Sequence, residues 1–287
     1  MADGDIGRLI VACPDRHGIV AAIATSLAEA GANIITSDQH STNPEGGTFF
    51  LRMEFHLAGL AERRAALDER LARVAEDLQL RWRVSAATER KRVAVFVSRS
   101  DHCLLELLWR WRRGELDMDV VAVISNHPDH EQEVSRFGVP YHHVPVTAES
   151  KARAEERQLE LLAGNVDLVV LARYMQVLSP PFLEAVGAPV INIHHSFLPA
   201  FVGADPYLRA YERGVKLIGA TAHYATEELD AGPIIEQDVA RVSHRHEPAV
   251  LARIGGEIER LVLARAVGWH LDDRVIVHGN RTIVFSG

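Results

Sequence analysis

The sequence predicts an α/β protein of two units in series. A ferredoxin-like βαββαβ unit occupies residues 1–88, and an open, mostly parallel, Rossmann-like sheet occupies residues 89–287. Three observations predict this. The first stretch runs strand, helix, strand, strand, helix, strand, which is the split βαβ order. A polar join, "TERKRV" (88–93), separates it from the second unit. Beyond the join, continuous Val/Ile/Leu runs alternate with helical patterns, and such runs belong to strands covered on both faces of a parallel sheet.

In the first unit, "LIVAC" reads as a short buried strand and "PDRHG" as a turn. "IVAAIATSLAEAGA" is a helix, because Ile19, Ile23 and Leu27 recur every four residues and stack on one face. Gly31 stands where a helix end favours a left-handed residue. "NIITSDQHST" is a second strand, and "NPEGG" a hairpin-type turn. "TFFLRMEFHL" alternates: Phe49, Leu51, Met53, Phe55 and Leu57 point to a core, and Arg52, Glu54 and His56 point away from it. Leu60, Leu67, Leu71, Val74 and Leu78 mark an amphipathic helix, and "RWRVSA" closes the unit as a strand.

In the second unit, "RVAVFVS", "MDVVAVIS", "YHHVPV", "VDLVVLA" and "APVINIH" read as strands. The helices between them are "CLLELLWRWRRG", "EQEVSRFG", "KARAEERQLELLAG" and "PPFLEAVG". A long helix, "EPAVLARIGGEIERLVLARAVGWHL", and a hairpin turning at Gly279-Asn280 finish the chain. Leu107, Trp109 and Trp111 read as packing rather than a stacking platform.

Apolar residues make up 47% of the 287 and charged residues 24%, the balance of a globular protein with a sizeable core. The net charge of -8 argues against a nucleic-acid surface, which needs a basic field. Arg110, Arg112 and Arg113 read as a solvated helix edge. Two distant cysteines, Cys13 and Cys103, make no disulfide framework and fit a reducing compartment. The opening "MADGDIGR" lacks the blocks of a signal peptide, and no apolar run approaches the roughly 18 residues that span a membrane. A cytoplasmic protein without nucleic-acid or membrane partners is expected.

Sites in open α/β sheets form beyond the carboxyl ends of the strands. There "VINIHHS" ends an apolar strand in polar groups. Asn192 and His194 are two apart, so they face one side. An amide beside an imidazole can hold a developing oxyanion or polarise a carbonyl. A proton acceptor stands in "ATEELDAGPII", where Asp230 precedes Ala231-Gly232-Pro233. Burial in that turn is expected to raise its pKa towards the range of a general base. On residues alone, His195 reads as a loop histidine and Asp230 also as a turn former. A metal site from His194, His195, His223 and Asp230 is disfavoured. No HExxH or paired CxxC frames them, and adjacent histidines on a strand project to opposite faces. Ser196 lacks a G-x-S-x-G elbow, and no G-x-G-x-x-G follows the first strand to hold a dinucleotide.

"ACPDRHGIVAAIATSLAEAGANI" resembles the ACT domain. The resemblance implies self-association and a small effector such as an amino acid, with Asp15, His17, Gly18 and Asn33 lining its site. A packing or dimerisation module without ligand is the alternative. "INIHHSFLPAFVGADPY", followed by "GATAHYATEELDAGPIIEQDV", resembles the formyltransferase family that uses 10-formyltetrahydrofolate, from about residue 91 to the end. By that resemblance Asn192, His194 and Asp230 are catalytic. Asp230 positions a water and takes its proton, while Asn192 and His194, as imidazolium, stabilise the tetrahedral oxyanion. "RYMQVLSP" then supplies a folate slot through Met175, Val177 and Leu178. The segment from His223 to Asp230 forms the other wall, Thr221 and His223 join the substrate contacts, and Gly203 permits close backbone approach. Asp205 stands where a basic or neutral residue is expected, which leaves contacts to the glutamate tail open.

Members that transfer the formyl group to a phosphorylated amine use a glycine-rich turn after the first strand of this unit as a phosphate cradle. The equivalent "FVSRSDHCLLE" has no glycine, and Asp101 would repel a phosphate, although Arg99 and Ser100 can still attract an anion. Water is therefore the expected nucleophile. The implied activity is hydrolysis of 10-formyltetrahydrofolate to formate and tetrahydrofolate, which balances the one-carbon pool and supplies formate for purine synthesis. The alternatives are formyl transfer to an amine acceptor and an amino-acid-sensing binding protein without catalysis. No cofactor and no metal are expected, the folate being the substrate. A homo-oligomer is expected.

Overall fold

Alternation in "TFFLRMEFH" builds the central strand of the first unit. The computed structural model describes residues 3–199 and 206–286. The first unit gathers the described residues up to Arg90 with Asp272–Ile276 and the stretch from Ile283. Its elements are β1 (Ile6–Pro14), α1 (Ile19–Glu29), β2 (Asn33–Ser41), β3 (Thr48–His56), α2 (Leu60–Leu78) and β4 (Arg81–Ala86). The sheet is antiparallel in the order β2-β3-β1-β4. Leu9, Val11, Leu51, Met53 and Phe55 meet Ile19, Ile23, Leu27, Leu67 and Leu71 in one core.

The other sheet face departs from expectation. Arg52 does not reach solvent but is 1% exposed. Its guanidinium donates to Glu54 Oε1 at 2.8 Å and to the Asp272 carbonyl at 3.0 Å. Phe285 packs with Ala12 and Phe50 on the same side. The apolar end of the chain thus covers the face that the alternation left for water. For the same reason these C-terminal residues belong to the first unit, whereas the sequence placed everything from 89 onwards in the second.

The second unit comprises Lys91–Leu271 and Val277–Thr282. Its sheet-forming half starts with β5 (Lys91–Val97), α3 (His102–Arg112), β6 (Met118–Ser125), α4 (Glu131–Ser135) and β7 (Tyr141–His143). It continues with α5 (Lys151–Leu162), β8 (Leu168–Leu171), α6 (Pro180–Ala185) and β9 (Val190–His194). Next come α7 (Pro206–Arg213), β10 (Leu217–Tyr224), β11 (Ile234–Arg241) and α8 (Pro248–Leu271). The final pair, β12 (Val275–His278) and β13 (Arg281–Val284), turns at Gly279 with φ 58°.

The seven strands run β11-β10-β9-β8-β5-β6-β7. β5 to β9 are parallel, and β10 and β11 are antiparallel to the strands beside them. The last two strands escaped the sequence reading. The middle of "LIGATAHY", Gly219 to Ala222, is buried yet small, so it lacks the apolar bulk that advertises a strand. The chain leaves β5 for β6 and β7 on one side, then returns to β8 and β9 on the other. The loops after β5 and β8 therefore diverge, and that topological switch point is where such sheets hold ligands. Beneath it, fully buried Phe96 meets Tyr174 edge-on at 5.2 Å and Phe182 at 6.1 Å.

Phe96→Ala is expected to lower unfolding stability by about 3–5 kcal/mol, as large-to-small core changes do. Chemical denaturation of the purified variant measures it.

Candidate active site

β9 ends in polar groups because it stops where the sheet opens. Asn192 and His194 share the end of β9 that lines a cavity, and the antiparallel register of β10 sets His223 opposite Asn192. Asp230 enters from the β10–β11 loop with φ 56°, a left-handed conformation that Asp tolerates better than most residues. Two residues on, the loop passes so close to the sheet that a Cβ on Gly232 would lie 1.9 Å from the Tyr224 carbonyl oxygen. Only glycine fits there.

The four side chains form one network. His194 Nδ1 lies 3.2 Å from Asp230 Oδ2, and His223 Nε2 lies 3.6 Å from Asp230 Oδ1. The Asn192 amide nitrogen lies 3.2 Å from His223 Nε2, while His223 Nδ1 donates to the Tyr224 carbonyl at 3.0 Å. The second nitrogen of His194, Nε2, is buried and without a hydrogen-bond partner.

The pKa expectation for Asp230 is overturned. Burial does push the carboxyl up, but hydrogen bonds and charge from His194 and His223 outweigh it and hold the group well below the ordinary carboxylate range. Asp230 is a standing anion. His195 also differs from expectation. It does not point away from His194: the strand ends at His194, and the two rings stack at 5.1 Å and 23°. Burial, then the nearby Arg173 charge and His194, push the His195 pKa down to about 4.

A cavity of about 620 Å³ opens over these groups, within the range that holds a cofactor-sized molecule. Asn192, His194, His223 and Asp230 line it, as do the expected Met175, Val177 and Leu178. Met175, Val177 and Leu229 are more than half exposed and give it an apolar rim. Thr221 is elsewhere. It is fully buried, accepts from Leu198 N at 3.1 Å and donates to the Ser196 carbonyl at 2.9 Å, so it ties down the loop after β9. Gly203 and Asp205 lie outside the described residues.

In the first unit, Gly18 starts α1 at φ 88°, and Asp15 accepts from Ser41 Oγ. Asn33 opens β2, and both it and His17 are exposed. Three further lining residues carry no signal in the sequence. Arg173 follows β8, and Tyr207 and Leu208 lie on α7, a helix absent from the sequence reading.

Set beside known proteins, residues 91–267 match the formyl transferase family and residues 7–74 match the ACT domain. The chain belongs to the formyl transferase family. Over nearly its whole length it is similar to proteins named formyltetrahydrofolate deformylase. The one from Mycobacterium bovis is 64% identical over 286 residues, covering 98% of this chain and 91% of that protein. The crystal structure of another, from Pseudomonas syringae pv. tomato str. DC3000, superposes with a TM-score of 0.93 at 48% identity, covering 98% of this chain and 94% of that one. A glycinamide ribonucleotide transformylase from Symbiobacterium toebii matches less of it, with a TM-score of 0.64 at 32% identity over 68% of this chain and 94% of its own.

Because His195 binds a proton less readily folded than at its ordinary 6.5, the unfolded chain gains it first as pH falls. Stability is then lost from about pH 6.5 down to about pH 4. Between pH 7 and pH 5 this amounts to about 2 kcal/mol. Urea unfolding of His195→Gln at both pH values is expected to show a loss smaller by that amount.

Proposed function

We propose that this chain hydrolyses 10-formyltetrahydrofolate to formate and tetrahydrofolate. The carrying observation is the convergence of Asn192, His194 and Asp230 on one cavity of suitable size. End-to-end similarity to proteins named formyltetrahydrofolate deformylase supports the same reading. Transfer to an amine is not favoured, because the transformylase-named relative covers 68% of this chain, against 98% for the deformylase-named ones.

In this reading the formyl carbon lies between Asp230 and the pair Asn192–His194. Asp230, ionised throughout the ordinary pH range, fixes a water by accepting its hydrogen bond and takes its proton as the oxygen attacks. The oxyanion receives the Asn192 amide and the His194 nitrogen that has no protein partner. A buried imidazole nitrogen left unbonded costs about 1–3 kcal/mol, and the reacting oxygen supplies what is missing. The proton passes to the folate nitrogen, the C–N bond breaks, and formate leaves. Met175, Val177, Leu178 and Leu229 hold the flat ring system against an apolar surface. The chemistry needs neither cofactor nor metal.

The ACT domain of the first unit suits a small amino-acid effector near Asp15, His17, Gly18 and Asn33, and suits self-association into a homo-oligomer. No described helix is long and apolar enough to cross a membrane. A cytoplasmic role in setting the one-carbon pool, with formate passing to purine synthesis, accords with the reaction.

Incubation with 10-formyltetrahydrofolate alone is expected to release formate, and glycine or methionine is expected to change the rate. Formate that appears only after an amine is added would reject hydrolysis. One oxyanion donor contributes about 3 kcal/mol to the barrier. Asn192→Ala and His194→Ala are therefore each expected to lower kcat about a hundredfold or more with the fold intact, and near-normal turnover in either rejects its role.

A further inference from the structure

The switch point between β5 and β8 is the crevice where an open α/β sheet accommodates a ligand. In this chain it is built over. After β5, the Ser98 amide donates to the Arg173 carbonyl at 3.3 Å, and Ser98 Oγ accepts from the Met175 amide at 2.9 Å. These bonds stitch the two diverging loops together.

Behind the stitch lies a charged cluster that the hydrolytic chemistry does not use. Glu259, on α8, is 1% exposed. It meets His102 Nε2 at 2.8 Å, accepts from the Tyr207 hydroxyl at 2.5 Å and lies 3.4 Å from Arg173 Nε. Burial pushes its carboxyl up, but His102, Arg173 and Tyr207 together hold it well below the ordinary value. His102 is the first residue of the helix after β5, and Arg173 comes shortly after β8, so the cluster bridges the two sides of the crevice.

Two local costs are accepted to keep it there. Arg173 holds φ 63°, which a bulky side chain rarely adopts. Gly255 sits inside the unbroken helix α8, and a Cβ on it would lie 1.9 Å from the Tyr207 hydroxyl. Glycine weakens a helix interior, and here its effect is to make room for the Tyr207 ring. Arg173 and Tyr207 line the same cavity as Asn192, His194 and Asp230.

We infer that the Glu259 cluster with Arg173, Tyr207 and His102 determines the nucleophile: it fills the crevice an amine acceptor would enter, so only water reaches the formyl carbon. The inference rests on the hydrolytic reading and assigns these residues to specificity, with no part in the bond-breaking step. Once the crevice is opened, a primary amine attacks the formyl carbon. The new C–N bond forms, the bond to the folate nitrogen breaks, and the amine's proton passes by way of Asp230 to that nitrogen.

The test uses full-length Arg173→Ala/Glu259→Ala, which removes both charges together so that neither is left alone in the interior. The double variant and the unmodified chain are incubated with 10-formyltetrahydrofolate and a large excess of glycinamide. N-formylglycinamide and formate are measured by mass spectrometry. The unmodified chain is expected to yield formate, and the variant at least tenfold more N-formylglycinamide relative to formate. Tyr207→Ala, which leaves the ion pair in place, is expected to shift the ratio the same way and decides the matter if the double variant does not fold. A merely structural cluster lowers total turnover and leaves the ratio unchanged, so formate-only turnover in the folded variants overturns the inference. Failure of the hydrolytic reading shows separately, as absence of formate from the unmodified chain without amine.

Discussion

One carboxylate organises the site. Asp230 faces His194 and His223 at once, and through His223 it also fixes Asn192. It does this from a loop whose backbone is wound left-handed and pressed against β10. A freely rotating aspartate would give up conformational entropy each time it met its partners. Here that cost is met during folding, and the groups stand preorganised before any substrate arrives.

The electrostatics follow from the same contact. A general base is usually pictured with its pKa raised to the operating range. Asp230 has the reverse shift, since two imidazoles stabilise its charge more than burial opposes it. Its contribution is then mainly geometric: a permanent anion that orients a water and aligns two rings. The proton it accepts is held weakly and is readily passed on. Neutral His195 stacks on His194 without placing a positive charge against that ring.

Much of this was legible in the sequence, and its failures have physical causes. The branched runs of β5, β6 and β8 announced a parallel sheet, and the two-residue spacing of Asn192 and His194 announced their common face. β10 was hidden because its burial depends on small residues. Arg52 was misjudged because alternation shows which residues leave one face of a strand, while a segment more than two hundred residues away in sequence covers the other. The direction of the Asp230 shift was beyond reach, since it depends on two histidines brought together only by the antiparallel register of β9 and β10. Arg173, Glu259, Tyr207 and His102 share no motif at all; their meeting is a product of tertiary structure.

The return of Asp272 and Phe285 to the first sheet bears on how such a protein can be taken apart. A fragment ending at Arg90 would keep β1 to β4 with α1 and α2, yet bare Phe50 and leave the Arg52 guanidinium short of an acceptor. Shuffling of this module between genes therefore demands either that its distal tail travel with it or that the uncovered face find a substitute.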